Sequence, residues 1–135
     1  MKIDKIINTS IVTVEIDDSL RTIKEIFDNV HFHHLLVVDS GKLFGIISDR
    51  DLLKALCPTA GTDFESNLDA ITLNKRAHQI LTRKPITLSA SSDIHEAVDI
   101  FINNSISCIP IVNEELKPVG ILSWKDLLKT LKQLL

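Results

Sequence analysis

Gly120-Ile121-Leu122-Ser123-Trp124-Lys125-Asp126 restates a phrase that has already occurred as Gly45-Ile46-Ile47-Ser48-Asp49-Arg50-Asp51. Each copy is a glycine, two aliphatics, a serine, two variable residues and an aspartate, and each continues into Leu-Leu-Lys, at Leu52-Leu53-Lys54 and Leu127-Leu128-Lys129. The pattern describes a buried strand turning into a helix. Ser48 or Ser123 is placed to cap that helix, with Asp51 or Asp126 three residues on as the reciprocal partner of a capping box. A cap of this kind contributes about 1 kcal/mol of helix stability, so Ser-x-x-Asp requires no ligand to account for it. It does not account for the glycine and the aliphatic pair that precede it in both copies.

Upstream, the match extends at a constant offset of 74 residues, through Ile6/Ile80, Thr13/Thr87, Leu20/Ile94, Phe27/Phe101, Asn29/Asn103 and Val38/Val112. Past the hairpin the offset becomes 75, because Asn113-Glu114-Glu115-Leu116-Lys117 is one residue longer than its counterpart. A turn is where a structural repeat tolerates an insertion. In the first copy, Met1 to Thr9 reads as a short helix leading into a strand at Ile11-Val12-Thr13-Val14. Asp17-Asp18-Ser19 then offer caps for a helix with apolar positions Leu20, Ile23, Ile26, Phe27 and Val30. Leu35-Leu36-Val37-Val38 is a strand, Asp39-Ser40-Gly41-Lys42 a hairpin turn, Leu43 to Ile47 the returning strand, and Asp49 to about Leu56 the closing helix.

The order βαββα therefore occurs twice, and the chain divides into repeat 1 at 1–57, a linker at 58–74 and repeat 2 at 75–135. The linker, which holds Pro58 and Gly61, is long for a structureless connection and calls for a short helix or a purpose of its own. The expected fold class is α/β, two βαββα units packed sheet to sheet with pseudo-twofold symmetry. A shared core is expected, since about 60 residues alone are marginal. The two Ser-x-x-Asp turns then fall around a joint cleft, at the strand ends and helix N-termini where ligands of α/β folds tend to sit.

Composition narrows the function classes. At 44% hydrophobic and 24% charged, the 135 residues are ordinary for a globular chain. No apolar run reaches the length of a membrane span, and Met1-Lys2-Ile3-Asp4-Lys5 does not open a signal peptide. The expectation is a cytoplasmic protein without a membrane partner. Cys57 and Cys108 show no CxxC spacing and read as reduced thiols. A net charge of −3 with no basic stripe argues against nucleic acid. With four glycines and no nucleophile–base pair, paired-carboxylate cleft or phosphate loop, the chain does not read as an enzyme.

With the repeats laid out, the chain closely resembles a tandem pair of CBS domains, the Bateman module, over essentially its whole length. The resemblance is carried by Thr87 early in the repeat, the strand Ser107-Cys108-Ile109-Pro110-Ile111-Val112, the hairpin, and the closing phrase in both copies. It implies a small stand-alone, non-catalytic regulatory module that needs no cofactor. Such a module binds an adenine nucleotide (AMP, ADP or ATP) or S-adenosylmethionine in the cleft between repeats and signals to a partner such as a regulated enzyme or transporter. In the family, the hydroxyl and carboxylate of the turn hold the ribose, which here implies Ser48 with Asp51 and Ser123 with Asp126. The base is read by backbone groups at positions held by Val12, Thr13 and Leu35 for the first site and by Ile86, Thr87, Ile109 and Pro110 for the second.

Phosphate-contacting positions of the family fall on His33, His34 and Arg50 in the first repeat and on Ser107, Cys108 and Lys125 in the second. The resemblance thus implies unequal sites. The first is expected to be better furnished for phosphate, with a grip that tightens as pH falls through about 6.5. Leu36 stands where the second repeat has Pro110, a departure that touches the backbone reading of the base. Such modules commonly join into a disk-like homodimer through helices, and the leucine-rich final helix and the helix near Leu20 are the candidate surfaces.

Two other readings stay open. One is a structural interaction scaffold in which both turns are only caps. The other is a metal- or redox-responsive regulator built on His31-Phe32-His33-His34 and Cys108, although no Cys, Asp or Glu lies at closing distance in sequence to complete a metal site. His78 and His95 read as surface residues, and Trp124 as a module-edge or oligomer contact.

Overall fold

The computed structural model describes residues 1–57 and 66–135. They form, in chain order, a turn of 3₁₀ helix at Ile3–Lys5, β1 (Thr13–Glu15), α1 (Leu20–Asn29), β2 (His34–Asp39), β3 (Lys42–Ser48) and α2 (Asp49–Ala55). Then come α3 (Asn67–Leu73), a second 3₁₀ turn at Ala77–Gln79, β4 (Thr82–Arg83), α4 (Ile94–Asn103), β5 (Cys108–Val112), β6 (Pro118–Ser123) and α5 (Trp124–Leu134). Of the expected linker, residues 58–65 lie outside the described residues, and the remainder holds α3, opened by a Ser66–Asp69 capping box.

Local chemistry explains the boundaries. Ser19 caps α1 by accepting the Thr22 N–H, and Asp93 caps α4 by accepting the His95 N–H. Ser40 and Gly41 both take positive φ, at 53° and 80°, which is the twist a two-residue hairpin needs between β2 and β3. The longer second hairpin uses Asn113 instead, whose side-chain oxygen accepts the N–H groups of Glu115 and Lys117.

The described chain gathers into two compact units, residues 12–84 and residues 1–11 with 85–135. In the first, the sheet order is β1-β2-β3-β4, with β1 parallel to β2 and the other pairs antiparallel. Its core joins Val14, Leu20, Ile23, Leu35, Val37, Ile47, Leu52 and Ala77. In the second, the β5–β6 hairpin is flanked by a parallel bridge, Leu88 to Ile111, and an antiparallel one, Asn8 to Ile121. Its core joins Ile3, Ala97, Ile109, Ile111 and Leu122. The strand expected around Thr87 has contracted to the single bridge at Leu88.

Each core borrows from the other repeat. The segment leading into repeat 2 lies on the first unit: the Leu20 N–H donates to the Lys75 carbonyl, the Ala77 N–H to the Asp18 carbonyl, and Thr82 pairs with Ile46. At the repeat offset, the segment leading into repeat 1 lies on the second: Ile94 N–H to Met1 carbonyl, Ile3 N–H to Ser92 carbonyl, and Asn8 opposite Ile121. Ile3 and Ala77 are both fully buried, so neither repeat's own chain completes the core beneath its sheet.

This exchange accounts for the glycine of the duplicated phrase. A Cβ on Gly45 would lie 2.6 Å from the Thr82 carbonyl oxygen and 2.8 Å from Leu81 Cδ1; one on Gly120 would lie 3.1 Å from the Asn8 carbonyl oxygen. Only a residue without a Cβ lets the borrowed backbone approach its strand this closely. The aliphatic pair follows from alternation: Ile47 and Leu122 enter the cores, while half-buried Ile46 and Ile121 face the borrowed segments across the pairing. Gly45→Ala is expected to cost about 1–3 kcal/mol by overpacking. Gly120→Ala should cost less, because its nearest obstacles are farther and include the Ile7 side chain. Urea midpoints of the two variants check this, and equal losses would count against the backbone-approach explanation.

Candidate functional site

The first unit brings the expected residues of its site to one end of its sheet. Val12 and Thr13 sit at the start of β1, where the Leu36 N–H donates to the Val12 carbonyl at 3.2 Å and Thr13 lies opposite Leu36. On β2, His34 is opposite Ser48 and buried Leu35 opposite Ile47. The chain then turns into α2, and the Asp49 N–H donates back to the His33 carbonyl at 2.9 Å. Arg50 is exposed on the first turn of the helix.

The second unit repeats this arrangement. Cys108 is opposite Ser123 and Ile109 opposite Leu122; the Leu88 N–H donates to the Pro110 carbonyl at 3.2 Å. Ile86 is exposed and Thr87 half-buried just ahead of that bond, while Lys125 is exposed on the first turn of α5. The Trp124 N–H donates to the Ser107 carbonyl at 3.2 Å, matching the Asp49–His33 bond. One backbone bond is not matched. Pro110 has no N–H with which to repeat the bond that Leu36 gives Val12.

Both Ser-x-x-Asp turns are complete capping boxes. Asp51 Oδ2 accepts the Ser48 N–H at 2.9 Å, and Ser48 Oγ accepts the Asp51 N–H at 3.0 Å. In the second turn the corresponding distances are 2.9 and 3.2 Å, and the Ser123 hydroxyl also donates to Asp126 Oδ2 at 2.9 Å. The cap thus uses Oδ2 of each carboxylate. Among the described residues neither Oδ1 accepts a hydrogen bond, and both aspartates are half-buried rather than sealed. A carboxylate held by one oxygen and offering the other can accept a hydroxyl proton in a charge-assisted bond.

Around this shared frame the side chains differ. His33 Nδ1 lies 2.9 Å from Asp49 Oδ2, an ion pair whenever the imidazole is protonated. Burial holds the His34 pKa below its ordinary value of 6.5; Asp49 opposes that, His33 reinforces it, and Asp51 opposes it more weakly. In the second unit, burial pushes the Cys108 thiol up to about 12, so it stays protonated and is a poor nucleophile or metal ligand. Among the described residues no three His, Cys, Asp or Glu side chains converge as metal ligands. Sequence reasoning placed the histidines but missed Asp49 as the partner of His33. The available signal was an acid at the first variable position of one copy where the other has Trp124.

A lowered histidine pKa has a definite sign. The folded state resists protonation at His34, so the stability tied to the neutral ring is full above about 6.5 and is lost as pH falls through the lowered folded value. Between pH 7.5 and 5.5 the melting temperature of the parent chain should therefore fall more than that of His34→Gln. Identical slopes would remove His34 as the cause.

Comparisons with known proteins agree with this layout. The uncharacterized protein MJ1225 of Methanocaldococcus jannaschii is 30% identical over 133 residues, covering 94% of this chain but 46% of the relative, so the chain spans about half of that protein's length. Its crystal structure superposes with a TM-score of 0.82 at 27% identity over 96% of this chain and 47% of that one. A CBS domain-containing protein of Dictyostelium discoideum is 27% identical over 135 residues, covering 98% of this chain and 92% of the relative. The CBS domain pair of protein MJ0100, solved in complex with 5′-methylthioadenosine and S-adenosyl-L-methionine, superposes with a TM-score of 0.74 at 26% identity, covering 97% of this chain and 99% of that one. No described helix is long and apolar enough to cross a membrane. The CBS domain model itself matches residues 3–58 and 77–133, so both copies of the duplicated phrase lie inside it and the chain belongs to the CBS domain family.

Proposed function

We propose that this chain is a non-catalytic regulatory module that binds an adenine nucleotide or adenosyl ligand at its Ser-x-x-Asp turns and passes the occupancy to a partner protein. The observation that carries the reading is the second oxygen of Asp51 and of Asp126, left over from a complete cap and aimed at neither backbone nor side chain among the described residues. A cap alone uses one oxygen; a ribose diol would use the other. Ser48 with Asp51 and Ser123 with Asp126 hold the sugar in this reading. Val12, Thr13 and Leu35 flank the base at the first turn, and Ile86, Thr87, Ile109 and Pro110 at the second.

At the second turn the missing proline N–H leaves the Ile86 carbonyl without the bond that occupies Val12 in the first, which favours backbone reading of a base there. His33, His34 and Arg50, and Ser107, Cys108 and Lys125, are the side chains nearest the remainder of the ligand. The bound ligands of the MJ0100 pair support the adenosyl class. Ligand binding would act by favouring one of two conformations of the module that the partner distinguishes. Cys57 and Cys108 are free thiols, which suits the reducing cytoplasm.

Asp51→Ala and Asp126→Ala should each weaken binding at their own turn about tenfold or more, the loss of one charge-assisted bond. Thermal-shift titrations with AMP, ADP, ATP, S-adenosylmethionine and 5′-methylthioadenosine check this, since a ligand at 100 times its Kd adds about 2.7 kcal/mol to stability. Melting unmoved by any of them would favour the scaffold reading.

We also place a homodimer contact on α5. Trp124, Leu128 and Leu131 line one helical stripe and are 48%, 51% and 51% exposed. Leu128→Glu with Leu131→Glu should convert a dimer to a monomer in sedimentation velocity without altering the far-ultraviolet spectrum. A parent chain that sediments as a monomer at all concentrations would rule this contact out.

A further inference from the structure

The two turns share a backbone frame but not a charge, and the difference bears on which ligand each can take. Across the first turn the chain sets two carboxylates, Asp49 and Asp51, against one guanidinium, Arg50. Across the second it sets one carboxylate, Asp126, against one ammonium, Lys125, with Trp124 in the place of Asp49. Nor do the histidines of the first turn simply add positive charge. His33 lies 2.9 Å from Asp49, so a proton gained there is matched by the carboxylate beside it. Burial disfavours the charged form of His34. Among the described residues, Arg50 and Asp51 offset each other on α2, and Glu15 of β1 is paired opposite Val38 at the far end of the strand. Leu35, Leu36 and Ile47 around them carry no charge.

We infer that Asp49 is a specificity-determining residue that makes the first turn select an adenosyl ligand without phosphates at neutral pH, leaving the phosphorylated ligand to the second turn. This rests on the ribose-binding reading of the Ser-x-x-Asp turns proposed above. The physical cause is like-charge repulsion. A carboxylate about 4 Å from a phosphate oxygen disfavours it about fivefold even in bulk water, and more where solvent is partly excluded. Asp49 therefore offsets the basic side chains beside it, and the first turn is not a standing phosphate site.

The test uses the full chain carrying Asp126→Ala, which under the ribose-binding reading empties the second turn, titrated calorimetrically with 5′-methylthioadenosine and with ATP. At pH 7.5 the thioether should bind more tightly than ATP. Adding Asp49→Asn should raise ATP affinity about fivefold and leave the thioether within twofold. Should Asp126→Ala not remain folded, the parent chain serves: Trp124 emission marks the second turn, and heat released without an emission change marks the first. Tighter ATP than thioether at pH 7.5, or ATP affinity indifferent to Asp49→Asn, overturns the inference while leaving the ribose-binding reading intact. Binding of neither ligand to the parent chain overturns both.

Discussion

The structure depends on the approach of a borrowed backbone to a strand that has no side chain in the way. At Gly45 the carbonyl of Thr82 occupies the space where a Cβ would stand, and at Gly120 the carbonyl of Asn8 comes nearly as close. These contacts let β3 gain a fourth-strand neighbour and let Ile121 gain a bridge. They also anchor the segments that deliver Ala77 and Ile3 to cores they do not adjoin in sequence.

The same strand that receives the borrowed segment ends in the candidate site three residues later. Gly45 and Ser48 lie on β3, Gly120 and Ser123 on β6, so whatever fixes the strand edge also fixes where the helix begins and where the aspartate points. Under the proposed function, stability and recognition share one carboxylate. Oδ2 is committed to the capping box, an interaction that orients the group and restrains its rotation. That leaves Oδ1 presented in a defined direction at little additional entropic cost. The cap and the ligand reading are therefore not competing explanations of Ser-x-x-Asp, because they use different oxygens of it.

Divergence between the repeats is concentrated in side chains around this preserved frame. Asp49 and Trp124 donate equivalent backbone bonds, to His33 and Ser107, yet one carries an acid that pairs with an imidazole and the other an exposed indole. Pro110 and Leu36 occupy equivalent strand positions, and only the leucine can satisfy a first-strand carbonyl. The two units share a backbone frame, and His33, His34 and Asp49 against Ser107, Cys108 and Trp124 give them different electrostatics. The family-based expectation of a first site better furnished for phosphate rests on an inventory of side chains. Burial of His34 and the pairing of His33 with Asp49 are properties of their surroundings.

The periodic features were legible in the chain itself. The repeat offset, the βαββα order, the Ser19 cap, the Ser40-Gly41 turn and both capping boxes follow from interactions that span at most four residues or alternate every two, and such local rules leave their mark in spacing. The site residues could be placed at one end of each sheet for the same reason. What the tertiary structure alone decided was which sheet each lead-in segment joins, that Thr87 precedes a single bridge rather than a strand, and that His33 meets Asp49. Those outcomes are set by contacts between residues 16 to 113 positions apart, and by the space around a missing Cβ. A hydrophobic pattern says that Ile3 and Ala77 must be buried, but two cores of nearly equal chemistry offer each the same reward, and only packing geometry distinguishes them.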